Sequence, residues 1–297
     1  MKMNRNRKKN KNKGQKPLKE LTIKDNFMFG ATMVKPENCK GLLEMTLQIP
    51  IARVEITIEK TMIYNPEYKG VRLDVYAKDE KNTHYNVEMQ AVRKLALGKC
   101  SRYYHSQIDM EMLDRGHDYE ELPNSYVIFI CDFDPFNQRK YCYTFKSICK
   151  ETDETDLEDG RVTIFLSTEG ENEDEVPIEM VKFLKFVKAD LATCMDDFED
   201  DFVSKLQKTM QEIKVSREME GRYMSMALWL HDERKEGKEE GKLEERASAL
   251  LDVLEEKGEV SEELEEKIFA EESMEVLRNW FKLAVKVSSV EEFVTLM

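Results

Sequence analysis

GVRLDVYAKDEKNTHYNVEMQ, spanning Gly70–Gln90, is the stretch whose reading decides the fold. In its first half Val71, Leu73, Val75 and Ala77 alternate with Arg72, Asp74 and Tyr76. In its second, Tyr85, Val87 and Met89 alternate with His84, Asn86, Glu88 and Gln90. Period-two alternation marks half-buried strands. The segment between them, Asp79 to Thr83, is entirely polar and suits a hairpin loop. If Lys78 and His84 close that loop, the register puts Asp74 opposite Glu88. Opposed residues of an antiparallel pair share a face, with Cβ atoms about 4.5–5.5 Å apart. Gln90, two residues beyond Glu88, shares it too. Two facing carboxylates repel unless a cation sits between them, and Mg²⁺, which takes a few carboxylate oxygens and keeps several waters, fits that gap. Spacing alone leaves a second reading open, a solvated hairpin face carrying ordinary acids. A slip of one residue would separate Asp74 from Glu88.

Outward from the hairpin, Glu37–Leu47 reads as a helix with Leu42, Leu43 and Leu47 inward, stopped by Ile49-Pro50. Ile51–Met62 is the expected first strand. Val92–Leu113 carries an apolar stripe through Val92, Ala96, Cys100, Tyr103, Tyr104, Ile108 and Met112, so a helix is expected there. Arg93, Lys94, Lys99, Arg102 and His105 crowd its first half and could meet phosphates beside a metal, though for Arg93 and Lys94 a solvated basic face is the simpler reading. Ser125–Cys131, SYVIFIC, is a continuous apolar run and reads as a buried central strand. Tyr141–Ile148 and Val162–Leu166 are two further expected strands, and Pro177–Leu191 an apolar-faced helix. From Asp196 to Arg246 the helical signal is nearly unbroken. Ser261 suits a helix cap, and Ser288 with Glu291 suits a capping box.

An Asp on one strand followed by Glu-x-Gln on the next resembles the PD-(D/E)xK nuclease superfamily, here as Asp74 and Glu88-Met89-Gln90. LTIKDNFMFG (Leu21–Gly30), with Asp25 and Phe27, looks like that family's opening segment. GLLEMTL (Gly41–Leu47) looks like its first helix, and CSRYYHSQID (Cys100–Asp109), with Arg102, Tyr103 and Tyr104, like its Arg-x-Tyr-Tyr helix. The branch it is most similar to is the recombination-promoting nuclease (Rpn) and putative transposase group, whose members often end in a helix like KEGKEEGKLEER (Lys235–Arg246). The resemblance implies an α/β fold: a restriction-endonuclease-like mixed β-sheet core flanked by helices, here with a C-terminal all-α extension. It implies a metal-dependent DNA endonuclease with a role in recombination or transposition. Asp74 and Glu88 would hold Mg²⁺, or Mn²⁺ in its place. Glu44 would be a further ligand, although Glu37, Lys40, Glu44 and Gln48 also make a plain polar stripe. Gln90 would orient water or phosphate, and Lys99, Arg102 and Tyr104 would meet DNA.

The chain has 297 residues, a net charge of −14 and 36% charged residues, which suggests long exposed helices. Residues 1–19 hold nine Lys or Arg and no acid, so the rest sums to −14 − 9 = −23. That arm reads as disordered, either neutralising phosphates or merely solubilising. A nuclease-like domain is expected over 20–195, a helical segment or linker over 196–242, and a small helical appendage over 243–297 that could form a homodimer. The six cysteines show no CxxC pair, the four histidines no zinc spacing, and no apolar run is long enough to span a membrane. Scattered thiols and no signal peptide predict a cytoplasmic protein. Phosphate-loop, dinucleotide and serine-hydrolase motifs are missing. The competing expectation is a catalytically idle nuclease-like scaffold that binds DNA or protein.

Overall fold

In this computed structural model the described residues are 16–62, 71–113, 115–152 and 155–297. Most of the basic arm, residues 1–15, and Gly70 of the hairpin lie outside them. Residues 16–19 are described, and Leu18 there is buried in a short 3₁₀ turn, so order begins before residue 20.

The described strands form one six-stranded sheet: β1 (Val54–Met62), β2 (Val71–Asp79), β3 (His84–Gln90), β4 (Ser125–Cys131), β5 (Cys142–Phe145) and β6 (Arg161–Ser167), in spatial order β1-β2-β3-β4-β6-β5. β1, β2 and β3 are antiparallel neighbours, β3, β4 and β6 run parallel, and β5 returns antiparallel along β6. The expected α/β class with a mixed sheet is what forms. The hairpin register is the expected one: Lys78 pairs with His84 and Val75 with Val87. Asp79 builds the turn, its Oδ1 accepting the N–H groups of Lys81 and Thr83. A carboxylate that gathers local N–H groups is why Asp favours turns.

Helices cover both faces. α1 (Asn26–Met33), α2 (Pro36–Leu47), α4 (Ile178–Lys188) and α5 (Asp201–Val215) pack together, and α1 and α2 meet β1. Pro36 opens α2, where a missing N–H is harmless. α3 (Leu97–Met112) lies on β4, over the face that carries Val127, Phe129 and Phe165.

Several boundaries differ from the sequence reading. α3 starts at Leu97, and Val92 is exposed, because Ala96 takes a left-handed conformation (φ 62°) that no helix continues. The expected strand Tyr141–Ile148 pairs only as Cys142–Phe145. The long C-terminal helical signal is two helices, α5 and α6 (Arg217–Glu255), broken by the extended backbone of Ser216. The expected Ser288 box is shifted by one: Ser289 accepts from the Glu292 N–H, and Glu292 accepts from the Ser288 N–H.

The chain divides into two compact units, the second being Arg222–Met297. Its core joins Leu250 and Leu254 of α6 to Ile268 of α7 (Glu262–Phe269), Leu277 of α8 (Met274–Lys286) and Phe293 of α9 (Val290–Leu296). Ser261, Ser273 and Ser289 cap its three short helices.

One glycine in the first unit is fixed by close approach. A Cβ on Gly170 would lie 2.3 Å from the root of the Tyr141 ring. That ring cannot retreat, since Tyr141 is buried and its backbone is bonded to Asn172 and Ser167. Gly170→Ala is therefore expected to destabilise this unit by about 1–3 kcal/mol. A urea titration should show a lower midpoint with an unchanged slope.

Candidate active site

β3 is buried along its whole length, its polar positions included. His84, Asn86, Glu88 and Gln90 face the α3 side beside Val127 and Phe129, so this is no solvated hairpin face. Burying such a row is costly unless each group finds a partner. Among the described residues several do not: Gln90 Oε1, Asn86 Oδ1 and His84 Nε2 have no hydrogen-bond partner.

At this point the hairpin opens. Past Val75–Val87 the backbone pairing stops, and the carboxylates take its place. Glu88 Oε1 accepts the Asp74 N–H at 3.2 Å, and Asp74 Oδ2 accepts the Met89 N–H at 3.1 Å. The two acids thus clasp each other's strands. Both are held far from their ordinary ionisation. Burial pushes Glu88 up to about 8, and the neighbouring Asp74 charge adds to it. Burial likewise pushes Asp74 up to about 6, against the opposing pull of the Met89 N–H and of Lys94 and Arg72. The acids are too near each other, and too dry, to share full negative charge without a cation.

The donor set fits a hard divalent ion. Two carboxylates and the unpartnered Gln90 carbonyl oxygen are all oxygen donors, the kind Mg²⁺ and Mn²⁺ take. Among the described residues no three His, Cys, Asp or Glu gather into a metal cluster. Glu44 is engaged elsewhere: its Oε1 accepts the Ile51 N–H at 2.9 Å and lies 3.8 Å from Lys40 Nζ. It fastens the end of α2 to the chain entering β1.

The other expected residues divide around α3. Tyr104 stacks on Phe129, and its phenol is pushed up first by burial and then by the Glu88 charge, so it stands beside the acids and stays protonated. Arg102 is two residues away, about 200° round the helix, and lines a separate cleft with Ser101 and Thr163. Lys99 is exposed on the first turn of α3. Asp25 holds the start of α1 by accepting the Thr22 N–H, which sets the next residue, Asn26, with its Nδ2 3.4 Å from Asp74 Oδ1.

Three residues near the acids were not legible as site residues. Lys94, which reads as solvated, lends its charge to both Asp74 and Glu88. Asn86, whose amide tempers the rise at Glu88, was signalled only by its place on the polar face two residues earlier. Nothing in sequence spacing tied Asn26 to Asp74.

A family model described as PD-(D/E)XK nuclease family transposase matches residues 27–240. The chain belongs to that family. No curated protein and no solved structure matches it. The match takes in the whole hairpin, α3 and the sheet that carries them. Asp74, Glu88 and Gln90, on adjacent strands of the mixed sheet, lie inside the matched span. Among the described residues no helix is long and apolar enough to cross a membrane.

Proposed function

We propose that this chain is a metal-dependent endonuclease that hydrolyses phosphodiester bonds in DNA and serves a transposition or recombination process. The observation that carries this reading is the pair of half-buried Asp74 and buried Glu88, both driven toward protonation, with the unpartnered Gln90 oxygen two residues beyond Glu88. Charge left unbalanced in this way is what a divalent cation relieves. Asp74 and Glu88 would hold Mg²⁺, or Mn²⁺ in its place, and Gln90 Oε1 would supply a further oxygen acceptor beside them. When bound, the ion lowers the pKa of a water and neutralises charge on the scissile phosphate. Gln90, being neutral, orients and does not transfer protons. Lys94 supplies the positive charge that Gln90 lacks, and the protonated Tyr104 donates a hydrogen bond. Asn26 fixes the angle of the Asp74 carboxyl. Lys99 and Arg102 meet the DNA backbone.

Cutting two strands calls for two such sites. Met224 and Leu228, four apart on α6 and both exposed, form an apolar stripe on which a second copy can pair.

A second reading keeps the fold and drops the chemistry: an idle scaffold that binds DNA or protein. The net charge of −14 favours it, as does the lack of a third clustered acid among the described residues. Plasmid nicking separates the two. The expected result is strand breaks in Mg²⁺ that EDTA abolishes and Asp74→Ala lacks. Intact plasmid from folded protein in both Mg²⁺ and Mn²⁺ selects the scaffold.

A further inference from the structure

A cleft on the other side of α3 from the acids is lined by polar and cationic side chains. It has a volume of about 220 Å³ and joins the first half of α3 to the start of β6 and the end of β5. Ser101, Thr163 and His105 line it and belong to a chain of four polar side chains that ends at buried Ser125. Ser125 Oγ lies 2.8 Å from His105 Nδ1, His105 Nε2 3.1 Å from Thr163 Oγ1, and Thr163 Oγ1 2.6 Å from Ser101 Oγ. His105 is buried, and burial followed by the Arg161 charge holds its pKa down to about 4, so it is neutral at pH 7.

A neutral imidazole brings one proton, and each hydroxyl brings one. Four protons serve three hydrogen bonds, so one is left over at an end of the chain. If Ser125 donates to His105 and the sense runs outward, the spare proton is on Ser101, at the cleft. An anion there selects that sense and its His105 tautomer. With nothing in the cleft, neither sense is preferred on this ground.

The rim is cationic. The Arg102 side chain makes no hydrogen bond or ion pair among the described residues. Lys146 lies 3.5 Å from Asp156, and Arg161 3.7 Å from Asp159, both pairs solvent-exposed. Exposed pairs of that kind hold weakly and yield readily to a better anion. Ser147 is engaged, its hydroxyl donating to Asp159, and Asp109 on α3 also feels Arg161. Of the three cations, Lys146 and Arg161 face acids, and Arg102 is the one without an acid partner among the described residues.

The placement points to the ligand. Glu88, Phe129 and Phe165 are register partners across β3, β4 and β6, and Thr163 is two residues back from Phe165 on the same face. Thr163 is therefore about 12 Å from Glu88, from strand spacing and rise. Phosphates on one DNA strand advance about 3.4 Å along the axis, so three to four steps separate the acids from the cleft. Between them lies the first turn of α3, where a Cβ on Gly98 would meet nothing within 4 Å among the described residues. We infer that this cleft is a second phosphate subsite, which grips the backbone of the bound nucleic acid several nucleotides from the scissile bond. The inference rests on the nuclease reading. A phosphate oxyanion is the shared chemistry, and a free mononucleotide would present the same group.

The test is fluorescence anisotropy with a labelled DNA duplex in EDTA, so that nothing is cut, over a series of salt concentrations. Lys146→Ala and Ser101→Ala, which leave the acids untouched, are compared with wild type after a melt confirms folding. The double variant is expected to bind roughly tenfold more weakly. Its plot of log K against log salt should be shallower by about 0.9, because one phosphate fewer is neutralised. Unchanged affinity and slope, with wild type binding well, would overturn the subsite and leave the nuclease reading standing. Wild type that binds no duplex would overturn both. Adenosine monophosphate that binds wild type saturably and not the variant, while duplex affinity stays equal, would overturn the backbone assignment in favour of a small-molecule site.

Discussion

Glu88→Ala is expected to cut Mg²⁺-dependent plasmid nicking by roughly a hundredfold to a thousandfold, and Glu88→Gln by nearly as much. The carboxylate is 3% exposed and sits in the opened end of the hairpin, so no neighbouring acid can swing in to replace it. Among the described residues no third acid is gathered there. The two variants differ in what they leave behind. Alanine strands the Asp74 N–H that Glu88 Oε1 accepts, and a buried unpaired donor costs about 1–3 kcal/mol. Glutamine keeps an acceptor there and removes the charge. Glu88→Gln should therefore be more stable than wild type in EDTA while being nearly inactive. Gain of stability with loss of activity is the signature of a strained functional site. Wild-type nicking by Glu88→Gln would remove the acid pair from the chemistry.

The hairpin was legible because two local facts determine it. A polar loop closed by Lys78 and His84 fixes the register, and the register fixes which side chains oppose. β4 was legible because SYVIFIC has no polar side to show. What stayed hidden depended on distant packing. The sequence leaves open whether the polar face of β3 is solvated, since nothing local says that α3 will lie over it. Val92 and Ala96 fit the apolar stripe of α3, yet a single residue at φ 62° cuts them off. Glu44 sits where the resemblance places a ligand, but the Ile51 N–H claims its oxygen, and that hydrogen bond exists only once α2 meets the chain entering β1. Arg102 and Tyr104 look like one motif in sequence. The helix turns them to different sides, Tyr104 onto Phe129 and Arg102 into the cleft with Ser101 and Thr163, and helical geometry alone could have said so.

The stability of the metal-free protein should fall by about 1 kcal/mol between pH 6.5 and pH 8, and Mg²⁺ should reverse the trend. A carboxyl whose folded-state pKa lies above its unfolded value favours folding only while protonated. That stability is fully present below the unfolded pKa and is lost as pH rises through the folded one. Glu88 rises from 4.5 to about 8, and Asp74 from 3.8 to about 6, so both work in this sense. Below pH 6.5 two histidines oppose them. Burial lowers His84 and His105 to about 4, so each gains stability as pH climbs from about 4 to 6.5. Above 6.5 the folded imidazoles are neutral and the unfolded ones shed their remaining protons by about pH 7.5, which offsets part of the loss, and Glu88 sets the sign of the slope. One proton held by the folded state and not by the unfolded gives about 1.4 kcal/mol per pH unit. Metal competes with that proton, so the melting-temperature rise caused by Mg²⁺ should grow with pH over the same window. Glu88→Gln should flatten both effects. Calorimetry is the suitable measurement, because the only tryptophans, Trp229 and Trp280, belong to the second unit and their emission would follow that unit. A flat profile from pH 6.5 to 8 without metal would mean that Glu88 is ionised throughout, and an acid pair at ease with its own charge would have no call on a cation.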